Sequence, residues 1–305
     1  MSAQAQPNSS KLAILIPFGI VTLIWGSTWL VIRHQLGVVP PSWSVTYRFL
    51  VAGVVMLAYA AIKREGIRLD ARGLVFATLL ALAQFCLNFN FVYRAEQFVT
   101  SGLVAVVFAL MLVPNAVFGR IFLGQKLGRQ LVIGMGVAMV GVTLLFVREA
   151  QVDPHGPRQV LTGIGFTLLA ICSASSANIM QGTQTARAYP MAPMLGVAML
   201  IGAALDAAVA WTLTGPPVVE LSWSYLAATL YLGVFASAIA FTLYFGVIRV
   251  IGPAKAAYSG VITPVIAMLL STLFEGYVWS WLAAAGSALV IGGLVIALRA
   301  RRPAR

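Results

Sequence analysis

Apolar stretches of about 20 residues recur from one end of the chain to the other, and the breaks between them carry most of the charges. A helix rising 1.5 Å per residue needs about 20 residues to cross a hydrocarbon layer ~30 Å thick, so these runs have the length of membrane spans. Read between charge and Gly/Pro breaks, they give ten spans: roughly 12–32, 44–62, 73–93, 98–118, 130–147, 160–181, 190–213, 223–248, 253–274 and 279–298. Composition closes the alternative of a soluble fold. Of 305 residues, 60% are apolar and 9% charged, whereas a soluble domain carries about 25% charged residues. The expected fold is therefore an all-α membrane protein, since a helix satisfies its own backbone polar groups in lipid. Lys11 ahead of the first run imitates a signal peptide, but Trp25 and Trp29 stand where a cleavage site needs small residues, which predicts a retained first helix.

The net charge of +12 raises the possibility of a nucleic-acid partner. The charges sit between apolar segments and form no basic face on a soluble module, so a lipid bilayer is the expected partner and nucleic acid is not. Lysines and arginines favour the cytoplasmic side of a bilayer. The N-terminal side collects fourteen of them, in groups around Lys11, Lys63–Arg72, Arg120–Arg129, Arg187, Arg249 and Arg299–Arg305. The opposite side has four, Arg33, Arg94, Arg148 and Arg158. Both termini are expected in the cytoplasm of a bacterial cell, with the chain multi-pass in the inner membrane.

An internal repeat organises the spans. A shift of 150 residues brings Gly102 onto Gly252, Pro114 onto Pro264, Leu123 onto Leu273 and Gln125 onto Glu275; one more residue aligns Gly141 with Gly292 and Arg148 with Arg299. Five spans per half is an odd number, so the second half enters the membrane from the opposite side and the repeats are inverted. Equivalent loops agree: Arg120, Lys126 and Arg129 follow span 4, while Tyr277, Trp279 and Trp281 follow span 9 as an aromatic interfacial anchor. The expected organisation is a tail at 1–11, a first five-helix repeat at 12–147, a periplasmic linker at 148–159 (REAQVDPHGPRQ), a second repeat at 160–298 and a basic tail at 299–305.

These residues carry a resemblance. Gly102, Pro114, Leu123-Gly124-Gln125-Lys126-Leu127 and the glycines Gly134, Gly136 and Gly141 resemble the end of one EamA-type repeat; 252–293 resembles a second, and Trp25-Gly26-Ser27 the family's first helix. Over nearly its whole length the chain is similar to ten-helix members of the drug/metabolite transporter superfamily, close to YddG-like amino-acid exporters. The family's usual Leu-Gly-Glu is Leu-Gly-Gln at Gln125 and Leu-Phe-Glu at Glu275. The resemblance implies export of amino acids, aromatic ones among them, and of related metabolites.

Enzyme chemistry finds no support in the sequence. Asp206 is the acidic residue deep in a span, His34 and His155 lie at a helix end and in a loop, and neither His-Glu-x-x-His nor a phosphate-binding Gly-x4-Gly-Lys-Ser/Thr loop occurs. Cys86 and Cys172 lack ligand spacing and are expected as packed thiols. No metal and no cofactor is expected, and the chain is expected to act as a monomer on a small-molecule substrate.

Polar groups inside spans normally face protein or water. Gln84 and Asn88 are four apart, and Asn178 and Gln181 three apart, so each pair shares a helix face, either as interhelical hydrogen bonds or as the lining of a central pathway. Lys255, about one turn into span 9, either snorkels to the interface or meets a substrate carboxylate. Arg48, near the start of span 2, reads as a snorkelling side chain, and Asp206 as pairing with a neighbouring helix in preference to relaying protons. Trp25 and Trp29 on span 1 and Tyr231 and Phe235 on span 8 share faces suited to an amphipathic cavity, with core packing as the alternative, and Tyr258 joins the candidate pathway. Pro114 and Pro264 each remove one backbone hydrogen bond and are candidate hinges for alternating access. Ala284, Ala288 and Gly292 on span 10 and Gly134, Ala138 and Gly141 on span 5 are expected to form a small-residue seam between the halves. Proton-exchange export of other metabolites or drugs, and a non-transporting scaffold, are the competing readings.

Overall fold

The computed structural model describes residues 8–66, 68–124, 128–152, 157–251, 256 and 259–298. Among the described residues ten principal helices follow in order: α1 Asn8–Gln35, α2 Pro41–Ile62, α3 Ala71–Ala95, α4 Ser101–Leu123, α5 Arg129–Val152, α6 Pro157–Gln181, α7 Met191–Thr214, α8 Trp223–Val250, α9 Ser259–Phe274 and α10 Trp281–Leu298. A single turn, Gln184–Arg187, links α6 to α7. Seven of these helices are long and apolar enough to cross a membrane; within α5, α9 and α10 the apolar stretches are shorter, Arg129–Leu145, Ile262–Phe274 and Trp281–Ala297. Among the described residues there is no strand. The outer surface is apolar: Leu50, Val54, Leu79, Ile121, Phe122, Val140, Leu169 and Leu273 all point outward. A soluble monomer rarely exposes more than a few hundred Å² of contiguous apolar surface, so this surface fits lipid.

Local chemistry sets the helix ends. Pro41 opens α2 at a position where a missing N–H costs nothing. Asp70 caps α3 by accepting from the Gly73 N–H at 2.7 Å, and Ser222 caps α8 by accepting from the Tyr225 N–H. Gly124 ends α4 at φ +64°, a left-handed conformation open to glycine. The linker expected at 148–159 is largely helical: its first residues extend α5 to Val152 and Pro157 already starts α6. The polar run Arg148–Val152 contains no breaker, so helix continues past the apolar part of the span.

Two helices are interrupted at matching places. Residues 81–87 of α3 and 231–239 of α8 wind as π-helix, and their first residues, Ala81 and Tyr231, differ by the 150-residue offset of the repeat. A π turn adds a residue, so side chains beyond it are rotated by about 100° from the face that an unbroken α-helix would give them. Helix pairing shows the same duplication. Exchanging each helix for its counterpart in the other half maps α1–α9 onto α4–α6, α3–α6 onto α1–α8 and α2–α8 onto α3–α7, and leaves α2–α7, α5–α10 and α4–α9 unchanged.

Close backbone approach holds the seam. A methyl added to Gly134 would sit 2.4 Å from the Gly293 carbonyl oxygen, and one added to Gly141 would sit 2.6 Å from that of Gly286. As the position on α5 rises, its partner on α10 falls, so the two helices run antiparallel. The α2–α7 pair behaves alike, Gly53 against Leu200 and Gly196 against Leu57. Counterpart helices thus run in opposite directions, the geometry of inverted repeats.

The α5 half of the expected seam, Gly134, Ala138 and Gly141, is in place, but the α10 half is corrected. Gly286, Val290, Gly293 and Ala297 face α5, while Ala288 is exposed and a methyl on Gly292 would meet nothing within 4 Å. α10 is built almost wholly of small and aliphatic residues, so its inner face leaves little trace in the sequence. Tyr277 is likewise buried, with the Arg148 guanidinium 5.2 Å from its ring centroid, whereas Trp281 is almost fully exposed.

Candidate functional site: a central cavity

A cavity enclosing about 840 Å³ of atom-free space, its mouth included, lies where the two halves meet. Seven helices line it. α1 supplies Trp25, Thr28, Trp29 and Ile32; α3 supplies Gln84, Asn88, Phe89 and Val92; α4 supplies Ala105, Phe108, Ala109, Met111 and Leu112. Ala174 and Asn178 come from α6, Phe241 and Tyr244 from α8, Thr263 and Pro264 from α9, and Arg48 from α2.

The wall is mainly apolar, with six aromatic rings among its described residues. Trp25 packs edge-on to Phe241 and Tyr244 at centroid distances of 5.3 and 4.7 Å and donates its indole N–H to the Ala236 carbonyl at 3.2 Å. Trp29 lies 5.1 Å from Phe108. Asn88 donates to the Gln84 carbonyl at 3.3 Å, and Asn178 to the Asn115 side-chain oxygen at 3.5 Å. Several lining atoms, although buried, have no hydrogen-bond partner: Trp29 Nε1, Asn88 Oδ1, Tyr244 Oη, Thr263 Oγ1 and both terminal nitrogens of Arg48. Buried polar groups are usually paired, so these atoms are open to water or a ligand in the cavity.

Arg48 is fully buried and contributes the only charge among the described residues that line the cavity. Its Nε donates to Ser237 Oγ at 2.9 Å, and its guanidinium lies 4.2 Å from the Phe89 ring centroid. Snorkelling is ruled out for it. The helix begins at Pro41, three residues before the expected start, which puts Arg48 about 10 Å along α2 at 1.5 Å per residue. Phe89, Phe241 and Tyr244 also went unrecognised in the sequence, because they lie just beyond the two π segments.

The remaining expected residues divide. Gln181 stands apart from the cavity, accepting from Arg249 Nη2 at 3.3 Å and Nε at 3.4 Å. Tyr231 and Phe235 stack on each other at 5.8 Å; Tyr231 shares a 2.6 Å hydrogen bond with Ser27, and Phe235 is 49% exposed on the outer surface. Pro114 lies in α4 behind a short 3₁₀ segment, Ala109–Met111, and does not line the cavity, whereas Pro264 does. Lys255 and Tyr258 lie outside the described residues, as do Gln125 and Lys126. Asp206 pairs with a neighbouring helix as expected, its Oδ1 accepting from Asn90 Nδ2 on α3 at 2.6 Å; Asn90 Oδ1 in turn accepts from Ser42 on α2. Cys86 is buried beside this network, but Cys172 faces outward and is not packed. Outside the spans, the Tyr189 hydroxyl donates to Asp70 at 2.5 Å, which holds the Asp70 carboxyl below its ordinary range and pushes the Tyr189 hydroxyl up. Among the described residues no cluster of three metal-ligating side chains occurs.

Fold and cavity together define a polytopic membrane protein with a ligand-sized chamber between two related halves. The model of the EamA-like transporter family matches residues 13–147 and 161–299. The chain is 31% identical over 267 residues to the uncharacterized inner membrane transporter YedA of Escherichia coli, covering 86% of this chain and 83% of YedA. Protein PagO of Salmonella typhimurium is 26% identical over 289 residues, covering 94% and 92%, and the uncharacterized transporter YoaV of Bacillus subtilis is 22% identical, covering 83% and 85%. One crystal structure superposes with a TM-score of 0.66 at 22% identity over 94% of this chain and 96% of the other, a likeness of fold. The chain belongs to the EamA-like transporter family, whose members are transporters and not enzymes.

Proposed function

We propose that the chain is an inner-membrane exporter of amino acids, aromatic ones among them, and related small metabolites. It works as a monomer by alternating access through the central cavity, with ten spans, inverted repeats at 12–147 and 160–298, and both termini in the cytoplasm. The observation that carries this reading is the cavity itself: a largely apolar chamber with six aromatic rings and several unpaired polar atoms, enclosed by helices of both halves and set apart from the α5–α10 seam. Sites of this composition hold amphipathic small molecules, the aromatic wall taking the apolar body and the few polar atoms fixing its orientation. The relative named an inner membrane transporter supports the compartment.

The test is counterflow in liposomes. Purified protein should accelerate exchange of labelled tryptophan or phenylalanine, and the flux should saturate with concentration; a scaffold gives no protein-dependent flux. Orientation has its own check. Reporter tags fused at residue 1 and residue 305 should both read cytoplasm, and a periplasmic reading from either end would refute the ten-span arrangement.

Proton exchange is a second reading, favoured by one observation: Asp206 is buried in α7 with its Oδ2 unpartnered. If protons drive export through it, Asp206→Asn keeps downhill exchange but loses accumulation driven by a pH gradient. If flux in the wild type is indifferent to that gradient, Asp206 serves only the Asn90 pairing.

A further inference from the structure

Arg48 is a fully buried cation in a largely apolar wall, with Tyr93 and Glu96 as its electrostatic neighbours. Its Nε is held by Ser237, while Nη1 and Nη2 have no hydrogen-bond partner although both are buried. Phe89 at 4.2 Å and Phe49 at 5.5 Å meet the guanidinium through their rings, a contact worth a fraction of what two lost hydrogen bonds and a lost hydration shell cost. Glu96 acts on the charge through space and Tyr93 both through space and as a side-chain hydrogen-bonding neighbour, while neither terminal nitrogen has a partner at full hydrogen-bond distance. The Tyr93 hydroxyl donates to Gln35 at 2.9 Å, which leaves its oxygen as a neutral acceptor beside the guanidinium. A guanidinium presents its free N–H groups in a planar fork that matches a carboxylate bidentately.

The rest of the wall narrows the ligand further. Among the described residues no aspartate or glutamate lines the cavity, so a ligand ammonium group would find neutral acceptors such as Asn88 Oδ1 and a like charge. Opposite charges attract more strongly inside a protein than in bulk water, and like charges repel more strongly. Trp29 Nε1, unpartnered and a donor only, adds a second hydrogen bond suited to an anion.

Resting on the transport reading of the cavity, we propose that Arg48 is the recognition point for a ligand carboxylate. The preferred occupant is an amphipathic monoanion, a carboxylate joined to an aromatic or bulky apolar body, and an amino group is not required. Amino acids then bind through their carboxylate end, with the ammonium group tolerated.

Three probes sharing a phenylethyl body separate the charges: 3-phenylpropanoate, phenylalanine and phenethylamine. Each is titrated calorimetrically at pH 7 into the purified full-length chain in detergent, with protein-free micelles as the blank. The expected order of affinity is 3-phenylpropanoate, phenylalanine, phenethylamine, with at least a tenfold gap between first and last. Arg48→Gln should cost the acid tenfold or more and leave the amine unchanged or improved, and Arg48→Lys should restore part of the loss. Should Arg48→Gln fail to fold, Asn88→Asp supplies an independent arm: a carboxylate in the wall should move the preference towards the amine. Equal binding of acid and amine by the wild type, binding of none of the three, or an acid preference surviving in Arg48→Gln overturns the proposal. Liposome flux judges the transport reading separately: a protein that binds the acid but moves no substrate sinks that reading and spares this one, while a protein that moves amines without preferring acids does the reverse.

Discussion

Gly293→Leu is expected to abolish folding, with no monodisperse protein recovered after extraction in detergent. Gly293 is a point of close backbone approach from α10 to α5: an added Cβ would lie 2.5 Å from both the Ala138 nitrogen and the Gly134 carbonyl oxygen. Both are backbone atoms, so no side chain can swing away and the helices must part. In lipid that loss is severe, because helix association there rests on close packing and not on expulsion of water. Overpacking a tight core costs about 1–3 kcal/mol where side chains can adjust, and a clash with backbone lies at or beyond the top of that range. Ala288→Trp is the control. Ala288 lies one and a half turns away on the exposed side of the same helix, and its replacement should leave yield and Tm within experimental scatter. Equal loss in both variants would mean that α10 is generally intolerant and that the α5–α10 contact is not the seam.

That contrast shows where sequence reading reaches and where it stops. The all-helical character was legible because about 20 apolar residues between charged breaks admit few other structures in lipid, and seven of the helices have the length and composition of spans. The repeat was legible from Gly102, Pro114 and Leu123 recurring at one offset, and Ala81 and Tyr231, where the π segments begin, keep the same offset. Faces were harder. Gly134, Ala138 and Gly141 stand out on α5 because larger residues surround them, whereas on α10 Ala283, Ala284, Ala285, Gly286, Ser287 and Ala288 are all small and any face reads as a ridge.

In the cavity, Trp25, Trp29, Gln84, Asn88, Asn178 and Pro264 were visible as aromatic, polar or proline exceptions in apolar runs, and all six line it. Tyr231 and Phe235 were misplaced because they sit inside a π segment, where spacing of i and i+4 no longer reports one inward face. The same rotation brings Phe241 and Tyr244 inward. Arg48 was misjudged through a helix boundary: with the span started at residue 44 it sits about one turn from the surface, and with the Pro41 start it lies nearly two turns deep. Three residues at a helix end thus separate a headgroup contact from a buried cation.

Filling the cavity should stop transport without unfolding the protein. Ala109 lines the chamber from the 3₁₀ segment of α4, close in sequence to Phe108 and Met111, which line it too. Ala109→Trp adds an indole that has the cavity as its nearest free volume, so the helices need not separate to accept it. Flux of tryptophan or phenylalanine in liposomes is expected to fall at least tenfold, while size-exclusion profile and Tm stay near those of the wild type. Leu169→Trp, on the outward face of α6, should leave flux within twofold. A second measurement distinguishes a plugged chamber from a jammed conformational cycle. Cysteine placed at Asn88 or Asn178, in a background lacking Cys86 and Cys172, should react with small polar thiol reagents, because the reactive thiolate forms only where water reaches. Tryptophan at 109 should slow that reaction sharply, and saturating substrate should slow it in the otherwise wild-type chamber, by occupying the space or by shifting the population of open states. If Ala109→Trp folds, transports at the wild-type rate and leaves the Asn88 and Asn178 cysteines as reactive as before, substrate does not pass through this chamber.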